Sequence, residues 1–129
     1  VKIFLKAIYR EYINGLNKRD LAQLGRFVHD EVCYNDRLIG LTGYRDMLEG
    51  NYRDIPDLYF NIHTLVCEPP YISSRLRFDV TPKGQFMGLP VDGRSVLFYE
   101  NVIYKYEDGK IKQVWSVIDK AAIEAQIGR

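Results

Sequence analysis

Apolar side chains recur near the start of the chain at Ile3, Phe4, Ala7, Ile8, Tyr12, Ile13 and Leu16. This three-to-four spacing puts them on one stripe and predicts an amphipathic helix over residues 1–16. Asn17 offers a cap at its end. Leu21, Leu24, Phe27 and Val28 mark a second, shorter helix that ends near His29-Asp30. Residues 32–34 read as a short strand and 38–43 as a loop, with Thr42 placed to cap a third helix from Gly43 to about Gly50. From Leu58 the period changes to two. Leu58, Phe60, Ile62, Thr64 and Val66 alternate with Tyr59, Asn61, His63 and Leu65. Glu68-Pro69-Pro70 breaks this strand. The next strand, 71–80, sets Ile72, Leu76, Phe78 and Val80 against Ser73, Arg75, Arg77 and Asp79. A loop over 81–93 leads into a long strand, 94–106, then a tight turn at 107–110 and a return strand, 111–118. Asp108-Gly109 suits the positive backbone angles of such a turn. Asp119 caps a last helix over 120–127, which Gly128 closes.

Helices first and long strands at hairpin spacing afterwards predict an α+β domain. Its N-terminal helices pack on a strongly curved, mostly antiparallel sheet, and a short helix ends the chain. No composition shift or internal repeat divides residues 1–129, so one domain is expected. Helices against a curved sheet make a cone with an open mouth, a natural place for a small hydrophobic molecule.

Composition sharpens this picture at one point. Ten tyrosines, six phenylalanines and one tryptophan make 13% of the chain aromatic. The rings at Tyr12, Tyr34, Phe60, Phe86, Phe98, Tyr104 and Trp115 are expected to line the pocket. Eighteen basic against seventeen acidic residues leave a net charge of +1, which does not support a general nucleic-acid surface. No apolar stretch approaches membrane-span length and no signal-peptide pattern is seen, so a cytoplasmic protein without membrane partners is expected. Cys33 and Cys67 are too few for a disulfide scaffold, and their spacing alone does not decide whether they meet.

The sequence holds no phosphate-loop glycine pattern, Cys-x-x-Cys, His-Glu-x-x-His or Gly-x-Ser-x-Gly. Its histidines number two. His29, Asp30 and Glu31 are adjacent and diverge at a helix end, so no metal site is expected. Acid–base chemistry then rests on three candidates. Asp119 follows Trp115 on one strand face, where an apolar neighbour would raise its proton affinity; it is equally placed as a helix cap. Glu100 interrupts the row Val96, Phe98, Val102, Tyr104, Tyr106, and either stands at the cavity wall or meets an arginine, unless the Asn101 row faces inward instead. His63 sits mid-strand, facing the cavity or an outer side covered by a partner. Arg75, Arg77 and Asp79 share a face that is either solvated and paired or an anchor for an anionic substrate.

Phe27-Val28-His29-Asp30-Glu31-Val32 resembles a segment of the SnoaL-like polyketide cyclases, within the NTF2-like and ketosteroid-isomerase-like superfamily. Leu41-Thr42-Gly43 resembles that family's helix-opening turn, and Ile55-Pro56-Asp57-Leu58 its entry to the long strands. The most specific segment is residues 84–94, Gly-Gln-Phe-Met-Gly-Leu-Pro-Val-Asp-Gly-Arg, followed by Tyr106-Glu107-Asp108-Gly109-Lys110-Ile111, Trp115 and Asp119. The resemblance implies an α+β cone, homodimers and ring closure by intramolecular aldol chemistry without metal or cofactor. It assigns the proton transfer to Asp119. Two departures stand out: Pro82 where the family often has His, and Val114-Trp115-Ser116 where it often has His-Trp-Asp. A non-catalytic ligand-binding or dimerisation module, and a hydrolase or dehydratase using His63 or Glu100 beside Asp119, are the alternatives on the same scaffold.

Overall fold

The computed structural model describes residues 2–128; Val1, at the head of the expected first helix, and the side chain of Ile3 on its stripe lie outside the described residues. Helix α1 (Lys2–Asn17) buries Leu5, Tyr9, Tyr12, Ile13 and Leu16 along one stripe. A 3-10 helix over Leu21–Arg26 follows, shorter than expected. Phe27 is its C-cap, and strand β1 (Val28–Tyr34) begins at once, so Val28 and His29 are strand residues. The apolar positions Val28 and Val32 belong to this strand's buried side and not to a continued helix. Asn35 and Asp36, both at positive φ, turn the chain into β2 (Arg37–Leu38). Helix α2 (Gly40–Asp54) starts earlier and ends later than the capping pattern suggested. Gly40 opens it at φ +68°, a left-handed angle that costs glycine nothing.

Strands β3 (Asn61–Glu68), β4 (Tyr71–Val80), β7 (Val96–Glu107) and β8 (Lys110–Ile118) form the long antiparallel part of the sheet. The strand order is β2-β1-β8-β7-β4-β3, with β1 parallel to β8. A two-strand hairpin, β5 (Gln85–Phe86) and β6 (Leu89–Pro90), interrupts the loop before β7. Helix α3 (Lys120–Ile127) closes the chain and buries Ile123.

The inward row of β7 is Val96, Phe98, Glu100, Val102, Tyr104 and Tyr106, continuous with Ile72, Ser74, Leu76, Phe78 and Val80 of β4. A register shift in β3 at Ile62–Thr64 inverts the alternation expected there. Beyond it Cys67 is buried and Leu65 half-buried against the core, while Thr64 and Val66 are exposed. Both cysteines are free.

Candidate functional site

The concave side of the sheet and helix α2 border a chamber of about 140 Å³. It is lined by Tyr34 of β1; Met47 and Asn51 of α2; Ile55, Leu58 and Phe60; Phe78 of β4; Phe86 of the hairpin; Phe98 and Glu100 of β7; and Ile118 of β8. Three phenylalanines form one wall, Phe98 stacked on Phe78 at 5.3 Å and Phe86 at 5.4 Å from Phe98. Phe60 meets Phe78 edge-on. The Asn17 side chain, at the end of α1, donates to the Phe60 carbonyl at 2.9 Å and accepts the Phe60 N–H at 2.7 Å. The end of α1 thereby fixes where Phe60 enters the chamber.

Glu100 is the carboxylate in this wall. Burial pushes its pKa above the ordinary value, and a hydrogen bond from the Ser116 hydroxyl opposes the shift in part. Ser116 reaches it because β8 pairs with β7 and sets Ile118 opposite Glu100 and Ser116 opposite Val102. The Asn35 side chain clamps this part of β8, accepting the Ser116 N–H at 2.8 Å. Tyr34 stands beside the pair; burial raises its pKa, as does the Glu100 charge, while the Ser116 hydroxyl lowers it.

A smaller annex of about 50 Å³ shares Tyr34, Met47, Asn51, Phe60 and Glu100 with the chamber and adds Tyr12, Tyr44 and Tyr104 at its deep end. Tyr12 and Tyr44 join their hydroxyls at 2.7 Å, and Tyr9 donates to Tyr104 at 3.2 Å. Burial keeps all four phenols protonated far above neutral pH, Tyr9 being pushed up to about 12.

The family model of the SnoaL-like polyketide cyclases matches residues 6–127. The chain belongs to the SnoaL-like polyketide cyclase family. A crystal structure described as a SnoaL-like polyketide cyclase from Agrobacterium tumefaciens is 51% identical, with a TM-score of 0.95 over 96% of this chain and 98% of that one. TsrD from Streptomyces laurentii is 22% identical, with a TM-score of 0.86 over 99% and 97% of the two chains. AclR from Streptomyces galilaeus, described as a candidate hydroxylase, is 22% identical, with a TM-score of 0.80 over 99% and 98% of the two chains. These last two share the fold. Among curated protein sequences none matches.

Within this SnoaL-like fold the candidates separate. Glu100, Tyr34, Phe60, Phe86 and Phe98 line the chamber, and Tyr12 and Tyr104 the annex. Trp115, expected there too, faces the other side of the sheet. It pairs with exposed Ile103, and its indole N–H donates to Asp36 at 2.9 Å. Asp119 does not share the chamber either. It is exposed, and its carboxylate accepts the Ala122 N–H at the head of α3, the capping role. His63 is exposed at the β3 register shift, its ring edge-on to Tyr99 and its Nδ1 2.8 Å from the Thr64 hydroxyl. Arg75 on the same outer face stacks over Tyr99 and donates to Asn101, so this side chain is already partnered on the surface away from the chamber. The cavity therefore brings together one of the three acid–base candidates.

Asn51 and Ser116 were missed as site residues. Asn51 continues the α2 stripe Tyr44, Met47, Leu48, Ile55 at helical spacing, and an amide inside an apolar stripe is the signal that finds it. Ser116 was visible as a departure from the family pattern, but its pairing across strands was not. A cluster able to approach a cation joins His29 to Glu107 and Asp108. His29 Nδ1 already accepts the Glu31 N–H at 3.0 Å, so in the neutral ring Nε2 carries the proton, the wrong tautomer for coordination there.

Proposed function

We propose that the chain is a cofactor-free acid–base enzyme of the polyketide-cyclase type, in which Glu100 is the catalytic residue. The observation that carries this reading is a buried carboxylate with raised proton affinity at the wall of an aromatic chamber. A carboxylate in that setting is a stronger base than one in water and is suited to proton transfer near neutral pH. Glu100 takes an acidic C–H proton next to a substrate carbonyl, leaving an enolate. The enolate carbon attacks a second carbonyl of the same molecule, forming the new C–C bond. The carboxylic acid then returns its proton to the resulting alkoxide. Ser116 orients the carboxylate, and the phenylalanine wall holds the apolar body. The chamber is below the ~300 Å³ usual for drug-sized ligands. It therefore suits a one-ring substrate, or one end of a larger molecule projecting through the mouth.

The test is α-proton exchange of acetophenone in heavy water, followed by proton NMR. Wild-type protein is expected to accelerate loss of the methyl signal, and Glu100→Gln to lose at least ~100-fold of that acceleration. Asp119→Ala is expected to exchange at the wild-type rate. Full exchange in Glu100→Gln would remove Glu100 from the mechanism.

A further inference from the structure

We infer that Asn35 is a positioning residue for the carboxylate of the chamber: its carboxamide stands in for a missing strand beside Ser116 and so holds the Ser116 hydroxyl on Glu100. This rests on the reading of Glu100 as the base, and it names a residue that lines neither the chamber nor the annex.

Strand β1 runs parallel to β8, and its last pair there is Tyr34 with Val114. The Asn35 N–H adds one more backbone bond, to the Val114 carbonyl at 2.8 Å. In a continued parallel ladder the carbonyl of residue 35 would take the Ser116 N–H next. The strand does not continue. Asn35 and Asp36, at φ 48° and 68°, form the two-residue turn that pairs Tyr34 with Arg37 of β2. Asn35 Oδ1 takes the Ser116 N–H instead, at 2.8 Å, and Asn35 Nδ2 donates to the Ser116 carbonyl at 3.3 Å. One side chain thus satisfies both backbone groups of a residue that β1 leaves at an open edge. Two positive angles in succession suit asparagine followed by glycine, and Asp36 stands where glycine would be easier. Its carboxylate has a use: it accepts the Trp115 indole N–H at 2.9 Å on the outer face. The turn is therefore tied to β8 at two neighbouring residues. With its backbone held from the β1 side, Ser116 donates its hydroxyl inward to Glu100, which the β7–β8 register sets diagonally across from it. The titratable groups around Glu100 are phenols: Tyr34 of β1, Tyr9 and Tyr12 of α1, Tyr44 of α2 and Tyr104 of β7. The paired strands β4 and β8 set Leu76 and Ile118 opposite it. Burial keeps these phenols neutral while a carboxylate titrates, so donation from Ser116 is the contact that favours the charged form. A Ser116 released from Asn35 donates less well, and Glu100 then keeps its proton to higher pH.

Asn35→Gly removes the carboxamide at a position whose backbone angle suits glycine. The Glu100 carboxyl is followed by carbon NMR in protein labelled at glutamate Cδ, with Glu100→Gln assigning its signal. Asn35→Gly is expected to raise the titration midpoint by about 0.5 pH unit or more, in the same direction as Ser116→Ala. Adding Asn35→Gly to Ser116→Ala is expected to move it no further, since the path runs through one hydroxyl. A contribution to folding alone would lower the melting temperature and leave the midpoint in place. The wild-type protein supplies a check that needs no variant: the Ser116 amide nitrogen should show a scalar coupling across the hydrogen bond to Asn35 Cγ. An unmoved midpoint in Asn35→Gly, a further shift in the double variant, or an absent coupling would each overturn the proposal. The titration follows Glu100 whether or not it moves a substrate proton. Failure of the positioning role is therefore distinct from failure of Glu100 as the base, which shows as acetophenone exchange retained in Glu100→Gln.

Discussion

A carboxylate in an apolar row can be read from sequence as an anomaly, but the same functional group serves two very different roles in this chain. Asp119 is exposed and caps α3; Glu100 is buried, and among the described residues no arginine lines the wall around it. Their fates differ because a cap needs a short side chain next to a free N–H, which is a local fact, whereas enclosure requires strands and helices from the whole chain. The difference predicts opposite stability effects. Asp119→Ala is expected to cost about 1 kcal/mol in chemical denaturation through the lost cap. Glu100 has a folded-state pKa above 4.5, its ordinary value. Between the ordinary and the raised value the folded state binds more protons than the unfolded one, so stability falls as pH rises through that window and the loss persists above it. Glu100→Gln is therefore expected to raise the melting temperature at neutral pH, with the gain shrinking as pH drops through that window to below 4.5. A melting temperature lowered at neutral pH would mean that Glu100 is not held against its charge.

At the scale of elements, long strands and helices were legible because their period was clean, and the hairpin turn was legible because Asp108-Gly109 sits at φ 55° and 75°. The faces of β3 were not. Extending a strict alternation from Leu58 puts Thr64 and Val66 inside, and one register shift exchanges them for Leu65 and Cys67. The sequence carries no mark of this irregularity, which lies in the pairing of β3 with β4. The Glu100–Ser116 contact belongs to this scale too, since it depends on the β7–β8 register. Donation from Ser116 favours the charged carboxylate, so removing it pushes the proton affinity of Glu100 higher. Ser116→Ala is expected to shift the onset of acetophenone exchange to higher pH without changing the plateau by more than about threefold. An unmoved profile would confine Ser116 to a packing role.

Seen whole, the molecule presents a contrast between its two sheet faces. The inner face is wholly committed to core and cavity, while the outer face exposes Val66, Leu97, Ile103 and Val117, the last at 69%. Among the described residues no helix is long and apolar enough to cross a membrane. The homodimer implied by the family resemblance would cover this aliphatic face. Sedimentation velocity is expected to show a dimer, and the double variant Ile103→Lys/Val117→Lys to weaken it at least ~100-fold by burying unpaired charge, with little change in the melting of the monomer. A monomeric wild-type protein would remove the idea. The sequence by itself determined the α+β class, the cone and most of the ring-bearing lining, because periodicity, turn chemistry and the loop at 84–94 are properties of neighbours along the chain. Tertiary structure alone decided which carboxylate is enclosed, that Trp115 looks outward to Asp36, and that Asn51, Ser116 and three phenols converge on one space. The physical reason is that burial and hydrogen-bond partnership are set by strand register and by contacts between residues far apart in the chain, such as Glu100 with Ser116 and Tyr12 with Tyr44, and no local pattern encodes those distances.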